Sequence, residues 1–443
     1  HATCPGKIAK DVQRYPLGLC KAILQGIHKE LQARGVMTVG DVGMHALEDE
    51  DLVHLARGPE QGYSGKYLDD ISKQKLRDDL VEEARRKELE YFVAKGVWQK
   101  CPRQKAFLTT GKPPISVRWV DVNKGDDVTP KYRSRLVARQ LKAMDKSGES
   151  FFAPTPPLES LRAVLSLAAS EIGGWKPNRD PKSANRTQIS LVDISRAYFN
   201  AKVDDDSPTF VQLPPEDKDS GVLCAQLLRH MYGTRAAADG WQEEYSSTMV
   251  VELGFVQGGS SPCLFRHPSR TLVSTVHGDD FTTVGDKSDL DWFESELAKH
   301  YELTTQPRIG PGSDDAKEGI ILNRVVRWTS EGLEYEADPR QAEKLIQECG
   351  LRDSNTMATP GLRASFEETE NDTPLDKKLH TAFRGSAARA NYLAADRIDC
   401  QFAAKEICRW MASPTAGPWS ALKRLCRYLV GLPRLVYSFN WQV

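Results

Sequence analysis

Long apolar runs are missing from this chain of 443 residues, whose mean hydropathy is −0.49. A membrane-spanning helix needs about 20 predominantly apolar residues in a row, so the sequence predicts no membrane partner. The nine cysteines include no Cys-x-x-Cys pair and no Cys/His cluster at zinc spacing. They therefore indicate reduced thiols in an intracellular protein, and they argue against secretion and against a structural zinc site.

A large net charge is also lacking, because 60 Lys and Arg face 61 Asp and Glu, for a net charge of −1. The distribution along the chain is uneven. Basic residues outnumber acidic ones severalfold from 100 to 142, and a second basic stretch runs from 384 to 434. Two basic surfaces on either side of an acidic centre would suit contacts to the phosphates of a nucleic acid. Two ordinary solvated faces are the alternative.

A pair of aspartates marks the tip of a predicted β-hairpin over residues 271–284. β-Branched residues lie on both sides of Gly278, Asp279 and Asp280. Adjacent carboxylates repel each other, and a bound cation relieves that repulsion. An exposed hairpin turn is the alternative. Most other acidic doublets, such as Asp69-Asp70 and Asp314-Asp315, indicate solvated loops or helix starts.

A third acid, Asp193, ends a short apolar segment over 188–193 that is predicted to be a strand. An acid at the end of a buried strand needs a partner, and capping of a helix predicted to begin just after it is one explanation. The other is that Asp193 meets Asp279 and Asp280 in space. Three such carboxylates would bind two Mg²⁺ ions, with Mn²⁺ as a substitute.

Further motifs occur along roughly three quarters of the chain, and their order resembles that of the reverse transcriptases of copia-type LTR retrotransposons. The matching segments include Lys-Tyr-Arg-Ser-Arg-Leu-Val-Ala-Arg at 131–139 and Met-Tyr-Gly at 231–233. The others lie at 117–120, 151–154, 160–162, 191–200, 241, 254–255, 262–265, 276–281, 396–399 and 424–429. Because these motifs occur in order, they are more specific than any one of them alone.

The resemblance implies an α+β protein with the right-hand polymerase fold of fingers, palm and thumb, and an antiparallel palm sheet. It implies an RNA-directed and DNA-directed DNA polymerase that transfers nucleotides from dNTPs to a primer 3′ hydroxyl. Asp193, Asp279 and Asp280 would be the catalytic residues and metal ligands.

Three further residues are assigned to the nucleotide by the same resemblance. Lys131 and Arg135 would contact the triphosphate, and Tyr198 would block the 2′ hydroxyl of a ribonucleotide. A solvated basic strand and a core aromatic residue are the respective alternatives. The implied partners are an RNA/DNA template–primer duplex, dNTPs, and the integrase and RNase H modules of a Pol polyprotein. The implied location is a cytoplasmic particle or the nucleus.

Two positions depart from the family pattern. The tyrosine before the paired aspartates is His277 here, and the position of the glutamine that helps hold the nucleotide is Ala236. These changes leave the three acids intact but alter the nucleotide pocket. A decayed, catalytically inactive nucleic-acid-binding remnant of such a polymerase is therefore the alternative function.

The predicted organisation has four parts. Residues 1–96 are a helical lead-in, with helices around Ile23 and over about 72–95; a structural or assembly module of a polyprotein is a further interpretation that fits this part alone. Residues 97–305 are fingers and palm, beginning with strands over 97–140, and 306–362 are the palm end and a thumb-like region. Residues 363–443 are an acidic linker and a helical connection region that would precede an RNase H module absent from this chain.

Overall fold

The computed structural model describes residues 64–140, 155–171, 175–362 and 372–442. The helix predicted around Ile23 and the motif at 151–154 lie outside these residues. Helices and antiparallel sheets are both present, which confirms the α+β class. The described residues form two compact units, the first from those within His1–Gly148 and Lys202–Ala237 and the second from those within Glu149–Ala201 and Ala238–Val443. No helix within the described ranges is long and apolar enough to cross a membrane.

The strands, in chain order, are β1 (Trp98–Pro102), β2 (Val117–Asn123), β3 (Tyr132–Ala138), β4 (Thr187–Ile194), β5 (Phe210–Gln212), β6 (Leu223–Leu227), β7 (Val256–Gln257), β8 (Leu264–Arg266), β9 (Leu272–His277), β10 (Asp280–Asp286), β11 (Leu303–Thr305), β12 (Glu318–Ile321), β13 (Arg324–Trp328), β14 (Gly332–Glu336) and β15 (Val436–Asn440).

The α-helices are α1 (Asp78–Lys95), α2 (Arg103–Thr110), α3 (Leu158–Ala169), α4 (Ala237–Ser247), α5 (Lys287–His300), α6 (Pro339–Glu348), α7 (Lys377–Ala394), α8 (Gln401–Cys408) and α9 (Ala416–Gly431). Short 3₁₀ helices span Ala197–Asn200 and Ile398–Cys400, and a π-helical turn spans Thr248–Glu252.

The first unit contains a three-stranded sheet in the order β1-β6-β5, the β2–β3 hairpin, and helix α1 packed against β3. A buried aspartate ties the loop before α1 to the hairpin. Asp69 accepts a hydrogen bond from the backbone N–H of Asn123 at 2.8 Å, and Asp70 accepts one from that of Asp121 at 3.1 Å. This doublet is therefore not a solvated loop, because its oxygens pair with backbone donors of β2.

The second unit is built on a six-stranded antiparallel sheet in the order β11-β4-β10-β9-β8-β7. Strand β4 lies between two hydrophobic cores. Ile189 and Leu191 pack in a core with α3, whereas Val192 and Ile194 pack in a core with α4 and α5. Burial on both faces explains why the four apolar residues of β4 are shared between the two cores and do not all belong to one.

A four-stranded sheet in the order β12-β13-β14-β15 and helices α6 to α9 complete the second unit. Helix α6 begins and ends at residues that are typical of helix termini. The Asp338 side chain caps it by accepting a hydrogen bond from the backbone N–H of Arg340 at 3.1 Å, and Pro339 is the first helical residue. Gly350 lies just after the helix with a φ of +67°.

Other boundaries differ from those predicted. Helix α1 begins at Asp78, not near residue 72, and the stretch 97–140 contains helix α2 in addition to strands. Helix α7 begins at Lys377, because Asp376 caps it through the backbone N–H groups of Lys378 and Leu379. The sequence did not predict β15, which pairs with β14.

Candidate active site

The hairpin β9–β10 has a two-residue turn at its tip. His277 pairs with Asp280, which leaves Gly278 and Asp279 as the loop. Gly278 has a φ of +67°, a conformation that glycine adopts without steric cost. The structure thus confirms the predicted hairpin and places Asp279 and Asp280 at its end.

Asp193 lies beside this tip because β10 also pairs with β4. In the antiparallel register Asp280 is directly opposite Asp193. Directly opposite residues have Cα atoms about 4.5–5.5 Å apart. The backbone N–H of Ile194 donates to the carbonyl oxygen of Asp279 at 3.0 Å, which fixes the turn against the end of β4. The pairing therefore brings the three predicted acids to one end of the sheet.

The alternative role of Asp193, capping of the next helix, does not occur. Strand β4 leads into a turn and then the short 3₁₀ helix Ala197–Asn200, whose N-cap residue is Arg196 and which has no side-chain cap. Asp193 is half-buried within β4 itself.

The three carboxylates repel one another. The pKa of Asp280 is raised to about 6, first by loss of hydration and then by the negative charges of Asp279 and Asp193. Much of the surface of Asp280 is accessible to solvent, yet the residue lines a recess together with Pro157 and Leu161. These neighbours exclude part of the water that would otherwise hydrate its carboxylate. Because these three carboxylates repel one another, a bound positive charge would stabilise the site.

His277 does not supply that counter-charge. Burial lowers its pKa below the ordinary value, the positive charge of Arg324 lowers it further, and Asp279 opposes this only in part. The imidazole is therefore neutral at pH 7. Its Nδ1 atom is buried without a hydrogen-bond partner among the described residues.

A buried tryptophan anchors the turn. Trp241 in α4 is 1% exposed, and its indole Nε1–H donates to the carbonyl oxygen of Gly278 at 2.8 Å. Its ring packs edge-on against Tyr301. The sequence placed Trp241 in a family motif but gave no signal for this contact, because the two residues are distant in the chain.

The Trp241→Phe variant is expected to lower the free energy of unfolding by about 1–3 kcal/mol, because it leaves the carbonyl of Gly278 without its donor. Chemical denaturation of the variant measures this. Tyr245→Phe on the same helix is the control, since the hydrogen bond from its hydroxyl to the Cys263 sulfur is long, at 4.0 Å. Equal stability of wild type and Trp241→Phe would contradict the anchoring role.

Two observations indicate that this site could bind divalent cations: the position of the three acids on the backbone and the oxygen atoms that they offer as ligands. Carboxylate oxygens are the ligands that Mg²⁺ prefers, and three acids share one end of the sheet. In the described residues, however, no three His, Cys, Asp or Glu side chains converge closely enough to hold a metal ion as they stand. Binding would therefore require the carboxylates to turn toward one another.

The residues predicted to bind the nucleotide are divided between the two units. Lys131 is exposed just before β3, and Arg135 is half-buried within β3; both belong to the first unit. Tyr198 belongs to the second unit, where it is half-buried and packs against the core that contains Val192. Ala236 directly precedes α4 and is half-buried.

Comparison with known proteins identifies the family. A family model described as reverse transcriptase (RNA-dependent DNA polymerase) matches residues 106–363. The chain is 25% identical over 372 residues to the retrovirus-related Pol polyprotein from transposon RE2 of Arabidopsis thaliana, which covers 81% of this chain and 23% of that protein. It is 22% identical over 347 residues to the corresponding polyprotein from transposon TNT 1-94 of Nicotiana tabacum, over 73% of this chain and 24% of that one.

One similar solved structure is that of the foamy viral protease-reverse transcriptase in complex with double-stranded DNA. It aligns with 80% of this chain and 48% of its own at 12% identity and a TM-score of 0.42. The chain spans about a quarter of the length of the curated relatives it matches. Since the family model covers more than half of the sequence, the chain belongs to the reverse transcriptases (RNA-dependent DNA polymerases) of copia-type retrotransposon Pol polyproteins.

Proposed function

We propose that this chain is a DNA polymerase that copies RNA and DNA templates during replication of a retrotransposon. The observation that carries the proposal is the register of β4, β10 and β9, which brings Asp193, Asp279 and Asp280 together. Membership of the reverse transcriptase family supports it.

In this proposal the architecture is that of a right hand. The six-stranded sheet around β4 and β10 is the palm, and the β2–β3 hairpin with its neighbouring sheet forms the fingers. Helix α6 and the helices after it form the thumb and the connection region. The partners are a template–primer duplex, dNTPs, and the integrase and RNase H modules of a Pol polyprotein.

The reaction is an in-line displacement. The primer 3′ oxygen forms a bond to the α-phosphorus of the dNTP, the bond to pyrophosphate breaks, and the hydroxyl proton is lost to solvent. Two Mg²⁺ ions, or Mn²⁺ in their place, held by Asp193, Asp279 and Asp280, would supply activation of the hydroxyl and neutralisation of the leaving group. The protein holds the turn rigid through Trp241, and Tyr198 excludes a 2′ hydroxyl.

Primer extension tests the proposal. Purified protein with poly(rA)/oligo(dT), dTTP and Mg²⁺ is expected to lengthen the primer, and EDTA is expected to stop the reaction. Absence of extension with both Mg²⁺ and Mn²⁺, by a protein shown to be folded by circular dichroism, would overturn it.

A nucleic-acid-binding remnant without polymerase activity is the second candidate. The observations that favour it are Ala236 and His277, which stand at two positions of the nucleotide pocket where the family has other residues. A folded protein that binds the same duplex in a filter-binding assay but does not extend it would support this candidate.

A further inference from the structure

The guanidinium of Arg135 lies against an aromatic ring and has no carboxylate partner among the described residues. Its guanidinium carbon lies 4.7 Å from the centroid of the Tyr232 ring. Arg135 forms no ion pair with any acid in the described part of the chain, and its Nε is buried without a hydrogen-bond partner. A half-buried positive charge without an acidic partner is unfavourable unless an anion from outside the protein neutralises it.

A second arginine of the same unit, Arg85, has its positive charge neutralised by acidic side chains. Arg85 also stacks on rings, at 4.5 Å from the centroid of Tyr67 and 5.1 Å from that of Trp119. In contrast to Arg135, it pairs with Asp121 at 2.6 Å and with Glu216 at 2.7 Å. Both arginines therefore lie against aromatic rings, but only Arg85 has acidic partners among the described residues. This difference is expected if Arg85 stabilises the fold and Arg135 binds an anion.

The backbone fixes the position of Tyr232. Its carbonyl oxygen accepts a hydrogen bond from the N–H of Ala138 at 2.8 Å, and that of Gly233 accepts one from Gln140 at 3.3 Å. Gly233 has a φ of +84°, and a Cβ there would collide with the carbonyl of Ala138. The close approach that glycine permits holds the Tyr232 segment alongside the end of β3, two to three residues beyond Arg135.

We propose that Tyr232 is a positioning residue that fixes Arg135 to receive a phosphate-bearing anion, the triphosphate of the incoming dNTP. The identity of the anion rests on the proposed function. The ring lies against the guanidinium, and a guanidinium binds phosphate oxygens in a fixed, planar geometry. Support by the ring also reduces the side-chain freedom that binding would otherwise remove.

Steady-state extension kinetics test the role of the ring. Tyr232→Leu is expected to raise the KM for dTTP about tenfold and to change kcat by less than about twofold, on the scale of a partly desolvated cation–π contact. Tyr232→Phe, which keeps the ring, is expected to restore the wild-type KM. If Tyr232→Leu is not folded, Tyr232→Met, which is also uncharged and lacks a ring, replaces it.

A double-mutant cycle separates positioning of Arg135 from a general structural role. In an Arg135→Ala background, Tyr232→Leu is expected to leave the KM for dTTP unchanged. An equal rise in KM with and without Arg135 would overturn the proposal, as would a Tyr232→Phe variant as defective as Tyr232→Leu. Arg135→Lys, which keeps the charge but not the planar face, is expected to have a KM between wild type and Arg135→Ala.

Binding measurements keep the proposal testable if the wild-type protein extends no primer. Isothermal titration with inorganic tripolyphosphate and with dTTP is then carried out on the same variants. Dissociation constants about tenfold weaker in Tyr232→Leu and Arg135→Ala would support the anion site even though polymerisation had failed. Equal affinities in all variants, or no binding by the wild type, would overturn it.

Discussion

Replacing Asp279 by Asn is expected to lower the kcat of primer extension by at least about 100-fold, the scale on which loss of one charge-stabilising group acts. The fold should survive, because the contact of this residue with β4 is made by its backbone carbonyl, which the variant keeps. Removal of one negative charge also relieves the repulsion that acts on Asp280. In EDTA, the melting temperature is therefore expected to be equal to or above that of the wild type.

An aspartate at the other hairpin turn gives a matched control. Asp127 is exposed in the loop between β2 and β3, within a second Asp-Asp doublet. Asp127→Asn is expected to keep wild-type extension, and Asp193→Asn is expected to lose as much activity as Asp279→Asn. Retention of more than about a tenth of the wild-type kcat by either Asp193→Asn or Asp279→Asn would contradict the shared role of the acids.

Asp396→Ala is expected to destabilise the protein by about 3–5 kcal/mol, the range for removing one partner of a buried ion pair. Asp396 is 2% exposed and accepts hydrogen bonds from Arg162 at 2.9 Å, from Arg324 at 2.8 Å and from Tyr335 at 2.6 Å. Without the carboxylate, Arg324 remains in the interior with no acidic partner among the described residues, and Arg162 keeps only Glu159 at 3.5 Å. Urea denaturation followed by circular dichroism measures the loss.

The network around Asp396 joins α3, β13 and β14 to the loop after α7, so its loss should loosen several elements together. Asp353→Ala provides the control, because Asp353 is exposed and its replacement should change stability by less than about 0.5 kcal/mol. A loss below about 1 kcal/mol in Asp396→Ala would show that water or a rearranged acid replaces the carboxylate.

The sequence is sufficient to predict an element when the residues of that element alone determine its conformation. The β9–β10 hairpin is explained by β-branched residues around Gly278, and α6 by Asp338, Pro339 and Gly350. Prediction failed when the conformation of a segment depends on pairing with a distant part of the chain. Strand β15 forms because β14 offers it a hydrogen-bonding edge, which the residues 436–440 do not encode by themselves.

The candidate site shows the same division. The sequence by itself determined which acids are present, which strands carry them, and the family to which the chain belongs. Only the tertiary structure decided that Asp193 lies opposite Asp280, because a strand register is set by hydrogen bonds between remote segments, and a slip of one residue would turn the side chain to the other face. Likewise, only the fold gave acid partners to Arg85 and none to Arg135, since charge compensation depends on which of the described side chains meet in space.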